Sequence, residues 1–499
     1  MSLLARRAAA TPNRTALVDA ADGRRWRYRD LDTLVDRAVD RLRERAPETE
    51  RVGTIFHPTP AFVVTFHAAQ RLGWTVVGLD SRSPVSELET HVERAELDHL
   101  VHGPDVAVPA AVETPATAAS DLVERSGHHA VGGAESNGDD PAMVTAGVDQ
   151  PGLCPADPAE TAVILFTSGT TGSPKAVRLT WRNLHASAVA SAFRLGVSPG
   201  ERWLCCLPVN HMGGLAPVIR TALYGTTLVV QRAFDAEATA RVLAAHDVTG
   251  VSLVPTQLRR LLDADAPLGE LETVLVGGAP TPEHILDRAL AADAPVAPTY
   301  GLTEAASQVA TARPGTAAAY PGTVGQPLYG VRVTVVADGA PVPAGERGEL
   351  VVSGPTVTPG YLDPERTAAA FGEWGLHTGD LGVRDEAGRL RVLGRRDDLV
   401  STGGELVAPD EVVETLCAHP AVAEAAVVGI DDEKWGQRLA ALVVPERDID
   451  VSTVDEHCRD SLPGYRCPRT VAFADSIPRT LSGTVDREAV RDRIRNREK

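Results

Sequence analysis

Apolar residues recur at positions 31, 34, 35, 38, 39 and 42 with Asp and Arg between them, a spacing that predicts an amphipathic helix over residues 31–45. The short apolar runs 52–56 and 75–79 predict buried strands, and the stretch 60–72 between them suits a helix. Beyond residue 160 the pattern repeats. Runs at 162–166, 204–208, 227–230, 250–254 and 273–276 predict strands separated by helical stretches, and 323–393 is strand-rich with turn glycines. The last hundred residues carry a small pattern of their own, helical at 412–418 and 454–462 and extended at 422–429 and 440–444. The expectation is an α/β protein. A large N-terminal domain of layered sheets and helices with a β-rich subdomain would span 1–393, and a small α/β C-terminal domain 399–499. The charged turn Gly394-Arg395-Arg396-Asp397-Asp398 would join them. Residues 102–160 are rich in Ala, Gly, Pro, Asp and Ser with Arg125 as the one cation, which predicts a mobile surface insertion.

A chain of 499 residues is too long for one core, and 43% hydrophobic with 23% charged residues is a globular composition. The net charge of −18 excludes a nucleic-acid binder that relies on a basic surface. Lysine occurs only at 175, 434 and 499, so arginine carries nearly all the positive charge. Either a salty cytoplasm or a GC-rich genome accounts for that bias. No run reaches the roughly 18–20 apolar residues of a membrane span, and Arg6 and Arg7 interrupt any signal-length apolar stretch at the start. The six cysteines form no CxxC pair, and adjacent Cys205 and Cys206 sit in an apolar run that suits a buried strand. A soluble, reduced, cytoplasmic protein is expected, with no membrane or nucleic-acid partner. Its oligomeric state, monomer or homo-oligomer, is not legible.

The strongest local signal is Thr167-Ser168-Gly169-Thr170-Thr171-Gly172-Ser173-Pro174-Lys175, directly after a predicted strand. Glycines let a backbone approach a ligand closely, hydroxyls and free N–H groups face phosphate oxygens, and Lys175 adds a point charge. The GxxxxGK[ST] spacing of nucleotide triphosphatases is missing. This segment resembles the phosphate-binding signature of the adenylate-forming superfamily: acyl-CoA synthetases, peptide-synthetase adenylation domains and luciferases. Gly277-Gly278-Ala279-Pro280 is similar to that family's adenine-side loop, and Thr299-Tyr300-Gly301-Leu302-Thr303-Glu304 to its second nucleotide signature. His377-Thr378-Gly379-Asp380 resembles the ribose-binding turn, and residues 394–405 resemble the hinge and the loop after it. Five motifs in family order over residues 167–405 make the resemblance specific.

The resemblance implies ATP, Mg²⁺ and CoA as cofactor and co-substrates, and a small-molecule carboxylic acid as the other substrate. It implies that Thr167, Ser168, Gly169, Thr170, Thr171, Gly172 and Lys175 surround the phosphates, with Gly278, Ala279, Pro280, Thr299, Tyr300 and Gly301 on the adenine side. Asp380, an acceptor-only carboxylate, would take both ribose hydroxyls, and Arg395 would reach ribose or phosphate. Thr303 would hydrogen-bond the α-phosphate, and Glu304 with Thr167 would hold Mg²⁺, a hard cation that takes oxygen ligands. Asp397 would be the pivot of the small domain, and Gly403 and Gly404 would lie near the pantetheine of CoA. The implied chemistry has two halves: a carboxylate attacks the α-phosphorus of ATP, and a thiol then displaces AMP. One departure stands out. The family's C-terminal Gly-Lys pair reads Gly483-Thr484, so Thr484 replaces a lysine that helps adenylation. Arg479 or Arg487 compensates, or the first half is slow, or the change was introduced on purpose. A smaller departure is Ala176 in place of glycine.

For the acid, Leu207-Pro208-Val209-Asn210-His211-Met212-Gly213-Gly214 resembles the motif whose histidine lines the acyl pocket, which makes His211 the candidate. Arg220 interrupts an otherwise apolar helical stretch, and a cation there needs an anionic partner. Arg220 and Thr303-Glu304-Ala305-Ala306-Ser307-Gln308 resemble 2-succinylbenzoate–CoA ligases of the menaquinone pathway. By that resemblance Arg220 would meet the second carboxylate, and Ser307 and Gln308 the keto or carboxylate oxygens. An aryl or medium-chain acyl-CoA synthetase, or a non-catalytic nucleotide-binding relative, is the alternative.

Overall fold

The computed structural model describes residues 2–109, 112, 114–122, 158–167, 174–432, 434–479 and 485–496. Two large sheets share one core. The first has nine strands, in the order 326–327, 307–311, 296–302, 273–276, 250–253, 202–205, 227–230, 15–19 and 25–27. Its middle is parallel and both ends are antiparallel. The second has seven strands, in the order 360–361, 175–180, 161–167, 75–79, 51–55, 99–102 and 116–118. Helices Tyr28–Arg45, Pro60–Leu72, Trp181–Leu195 and Met212–Tyr224 supply apolar faces to that core. Leu184, Leu215 and Ile219 meet Val163 and Val177 of one sheet and Leu228 of the other. Strands buried on both faces read as continuous Val, Ile and Leu runs, which is why 75–79, 227–230 and 273–276 were legible from the sequence. Residues 116–122, counted above within the insertion, instead add strand Ala116–Ala118 to the sheet edge and bury Ala119 and Leu122. The rest of that segment from 123 to 157 lies outside the described residues.

A six-stranded antiparallel sheet follows, built on Arg332–Ala337, Arg347–Ser353 and Gly375–Arg384, and strand Leu390–Arg395 pairs with the last of these. The chain then passes through the short 3₁₀ turn Arg396–Asp398 into a five-stranded sheet. There Val427, Ala441 and Val443 face helices Pro409–Ala418 and Val451–Ser461, while Val428, Ala440 and Leu442 face helix Arg487–Arg495. That alternation is the strand period of two, with helices covering both faces. Helix Pro409–Ala418 also packs against helix Glu283–Ala291 and strand Leu390–Arg395. Arg347 pairs with Glu411 and Arg391 with Glu414 at 3.2 Å across the same junction. No helix among the described residues is long and apolar enough to cross a membrane.

Candidate active site

Thr167 ends one strand and Lys175 begins its antiparallel neighbour, and the two stand opposite each other in register. The loop between them therefore leaves and re-enters the sheet at one point; Ser168, Gly169, Thr170, Thr171 and Gly172 themselves lie outside the described residues. Lys175 Nζ sits 5.6 Å from the centre of the Tyr361 ring. Tyr361 Oη donates to Glu304 Oε1 at 3.0 Å, so the phosphate-loop lysine and the proposed metal carboxylate meet across one aromatic ring. Burial and the nearby Glu304 charge push the Tyr361 hydroxyl upward, keeping it a neutral donor.

Strand Val296–Leu302 delivers Tyr300 and Gly301, the 3₁₀ turn Thr303–Ala305 follows, and the chain returns as Ser307–Thr311. A Cβ on Gly301 would lie 2.0 Å from the Ser307 carbonyl oxygen, so only glycine admits this return. Ala306 and Ser307 have φ of 52° and 115°, left-handed values that residues with a Cβ rarely adopt. Thr299 Oγ1 donates to the Ala310 carbonyl at 2.9 Å, and the loop through Gly278, Ala279 and Pro280 passes beside it with Gly277 packed on the Thr299 methyl.

Tyr300 Oη donates to Asp380 Oδ2 at 2.6 Å, and Arg395 Nε approaches Asp380 Oδ1 at 3.6 Å. Asp380 and Arg395 are register partners on neighbouring strands, so the sheet itself fixes the pair. Arg395 also donates to the Thr378 carbonyl at 3.1 Å. Burial raises the Asp380 carboxyl above its usual range against the lowering pull of Arg395, and the charges of Glu304 and Glu349 add to the rise. Glu349 is a residue the sequence reading missed. It is 7% exposed and accepts from His377 Nδ1 at 3.1 Å, the Gly379 N–H at 2.9 Å and Arg396 Nη1 at 3.0 Å, tying the turn before Asp380 to the residue after Arg395. A charge inside the apolar strand Arg347–Ser353 was its only signal. Tyr361, also missed, had none.

The acyl side is built differently. His211 precedes helix Met212–Tyr224, whose first turn folds so tightly on the preceding segment that a Cβ on Gly214 would lie 2.3 Å from the Leu207 carbonyl oxygen. Burial lowers the His211 imidazole against the opposing influence of Asp80, which is itself hydrogen-bonded to Arg82. Nine residues on, Arg220 is 7% exposed, and its Nη2 has no hydrogen-bond partner among the described residues. No carboxylate among the described residues is paired with it, and burial pushes its guanidinium down. Arg220 lines two narrow clefts. One has a cavity volume of about 30 Å³ and includes Ser191, Glu201, Trp203 and Tyr224. The other is closed to a water-sized sphere and includes Ser187, Met212, Ala216, Ile219 and Ala306. Gln308 is 2% exposed and donates to Thr311 Oγ1 at 2.7 Å, leaving its Oε1 without a partner among the described residues. Ser307 is half-buried at the start of the same strand.

Asp397 is exposed in the turn between the two domains. Gly403 and Gly404 are exposed between strands Val400–Thr402 and Glu405–Val407, with Gly403 beneath Trp435. Thr484 lies outside the described residues. Of the two arginines near it, Arg479 pairs with Glu424, and Arg487 is held by Asp398 at 2.9 Å, Asp410 at 3.2 Å and the Val427 carbonyl at 3.1 Å. No cluster of three or more His, Cys, Asp or Glu among the described residues could hold a metal by itself. Glu304 and Thr167 are hard oxygen donors of the kind Mg²⁺ takes, and would be the residues to hold it.

Residues 4–362 match the AMP-binding enzyme family and residues 411–484 the AMP-binding enzyme C-terminal domain. The chain is 34% identical over 495 residues to a 2-succinylbenzoate–CoA ligase of Bacillus pumilus, covering 98% of this chain and 97% of that one. It superposes on o-succinylbenzoate CoA synthetase (MenE) from Bacillus subtilis in complex with the acyl-adenylate intermediate OSB-AMP with a TM-score of 0.86, at 30% identity over 98% of both chains. The same protein in complex with ATP and magnesium ion gives 0.86 at 29% identity, covering 98% of this chain and 99% of that one. The chain therefore belongs to the AMP-binding, adenylate-forming enzyme family, and is an enzyme of its AMP-forming acid–thiol ligase class.

Proposed function

We propose that this enzyme joins 2-succinylbenzoate to CoA at the expense of ATP, a reaction of menaquinone biosynthesis. The observation that carries the choice of acid is Arg220, a buried guanidinium whose Nη2 has no partner among the described residues, in a cleft it shares with Ser187, Met212, Ala216, Ile219 and Ala306. A buried cation without a counter-charge is costly, and a substrate with a second carboxylate relieves that cost where a monoacid does not. The 2-succinylbenzoate–CoA ligases among its relatives support the same reading.

In this reading Asp380 accepts the ribose hydroxyls, helped by the Tyr300 hydroxyl and Arg395 that hold its carboxylate in place. Lys175 and Thr303 stand at the phosphates, and His211 lines the acyl pocket as a neutral imidazole. The reacting carboxylate and the triphosphate are both anions, so their approach needs fixed positive charge and donors already aimed at the α-phosphorus. Glu304 and Thr167 would hold Mg²⁺, which offsets phosphate charge when bound. Gly403 and Gly404 belong to the second half, in which the CoA thiol attacks the activated carbonyl and AMP leaves. The enzyme acts in solution on small molecules.

The test is pyrophosphate release with ATP and Mg²⁺ over a panel of 2-succinylbenzoate, benzoate, octanoate and amino acids, with and without CoA, at high and low salt. Selective, CoA-dependent turnover of 2-succinylbenzoate is expected. Preference for benzoate or octanoate would make it an aryl or medium-chain synthetase, and silence toward every acid despite ATP binding would leave a nucleotide-binding relative.

A further inference from the structure

Helix Trp181–Leu195 carries Asn183 and Ser187 four residues apart, so both point from one face. Asn183 Nδ2 donates to the carbonyls of Pro355 at 2.9 Å and Val357 at 2.8 Å. Ser187 Oγ donates to the Ala306 carbonyl at 2.7 Å in a fully buried setting. These two backbone strips flank Glu304: the Thr358 N–H donates to the Glu304 carbonyl at 2.7 Å, and Tyr361 just beyond holds its carboxylate. Ala306 is the first of the two left-handed residues that close the turn carrying Thr303 and Glu304. Such backbone persists only where surrounding contacts over-determine it, and the Ser187 hydroxyl is the one side-chain donor to that carbonyl among the described residues. Ser187 and Ala306 also share a narrow cleft with Arg220.

We propose that Ser187 is a positioning residue for the adenylation step. By holding the Ala306 carbonyl it fixes the left-handed turn, and so sets Thr303 and Glu304 for the attack of the acid on the α-phosphorus. The proposal rests on the acid–CoA ligase reading for its substrate, and on the backbone geometry for its mechanism. Substituting Ser187→Ala leaves a buried carbonyl unpaired and frees the turn to relax.

Two measurements test it. In pyrophosphate release, using whichever acid of the panel the parent enzyme turns over fastest, Ser187→Ala should lower kcat by roughly 10- to 100-fold. KM for ATP should stay within about threefold, and Ser187→Thr, which keeps the hydroxyl, should recover most of the rate. In amide hydrogen exchange without substrate, Ser187→Ala should speed exchange in the peptide spanning 299–311 while leaving that spanning 422–445 unchanged. Unchanged kcat, a loss confined to KM, or unchanged exchange around 306 overturns the proposal. Turnover of another acid in place of 2-succinylbenzoate ends the substrate reading and leaves Ser187 judged on its own readouts.

Discussion

The two halves of the site handle charge in opposite ways. On the candidate nucleotide side the described carboxylates have protein partners: Asp380 has Tyr300 and Arg395, Glu304 has Tyr361, and Glu349 has His377, the Gly379 N–H and Arg396. On the candidate acyl side Arg220 is buried with a nitrogen unpaired among the described residues, and burial lowers the His211 imidazole. The candidate nucleotide half is preorganised by bonds the protein makes with itself. The acid is the variable substrate, and under the proposed function its half keeps a buried cation that a second substrate carboxylate would offset.

The widest break in this contrast should come from Asp380→Ala, which removes one acceptor and leaves Tyr300 and Arg395 without it. ATP-dependent pyrophosphate release should fall on the order of 10²–10³-fold with every acid of the panel, because the lost hydrogen bonds are charge-assisted. A loss that varies from acid to acid would undo the division of labour. Arg220→Ala should do the reverse: kcat/KM should fall about 10²-fold with 2-succinylbenzoate and less than about tenfold with benzoate. Equal losses would mean the guanidinium serves packing alone.

The smallest expected effect concerns pH. The folded-state pKa of His211 lies below the ordinary histidine value of 6.5, burial being the main cause. The imidazole is therefore neutral above pH 6.5 and gains its proton only as pH falls through a lower value. Acid-limb loss of kcat/KM should begin below pH 6.5, and the stability tied to burying the neutral ring should likewise be present above 6.5 and decline as pH falls. Asp80 and Arg82 face His211 with opposing influences. Removing Asp80's support by Asp80→Asn should move the limb further down in pH by a fraction of a unit, read from pH–rate profiles. A shift upward would contradict the assignment.

Much of the candidate nucleotide half could be proposed from the sequence because its residues are contiguous. The 299–304 and 377–380 segments each place side chains within one turn or strand, and local order in the chain becomes local order in the site. Glu349 and Tyr361 escaped because each acts on a partner far along the chain: Glu349 on His377 and Arg396, Tyr361 on Glu304. Ser187 escaped for the same reason, its carbonyl partner lying 119 residues away. The strand at 116–118 was hidden by its Ala-Thr-Ala composition, which carries no strand pattern and is recruited by pairing with His99–His102 at a sheet edge.

By itself, the sequence determined the alternation of strands and helices, the order of the nucleotide-side motifs and the presence of a lone cation in an apolar helix. Each of these follows from short-range periodicity or from residue chemistry at fixed spacing. Only the tertiary structure decided that Arg220 is buried with no carboxylate beside it among the described residues, that the Tyr300 hydroxyl holds Asp380, and that Ser187 bears on the left-handed turn at Ala306. Burial and hydrogen-bond partnership are properties of neighbours in space, and the chain brings those neighbours together only when its sheets pair and its helices pack.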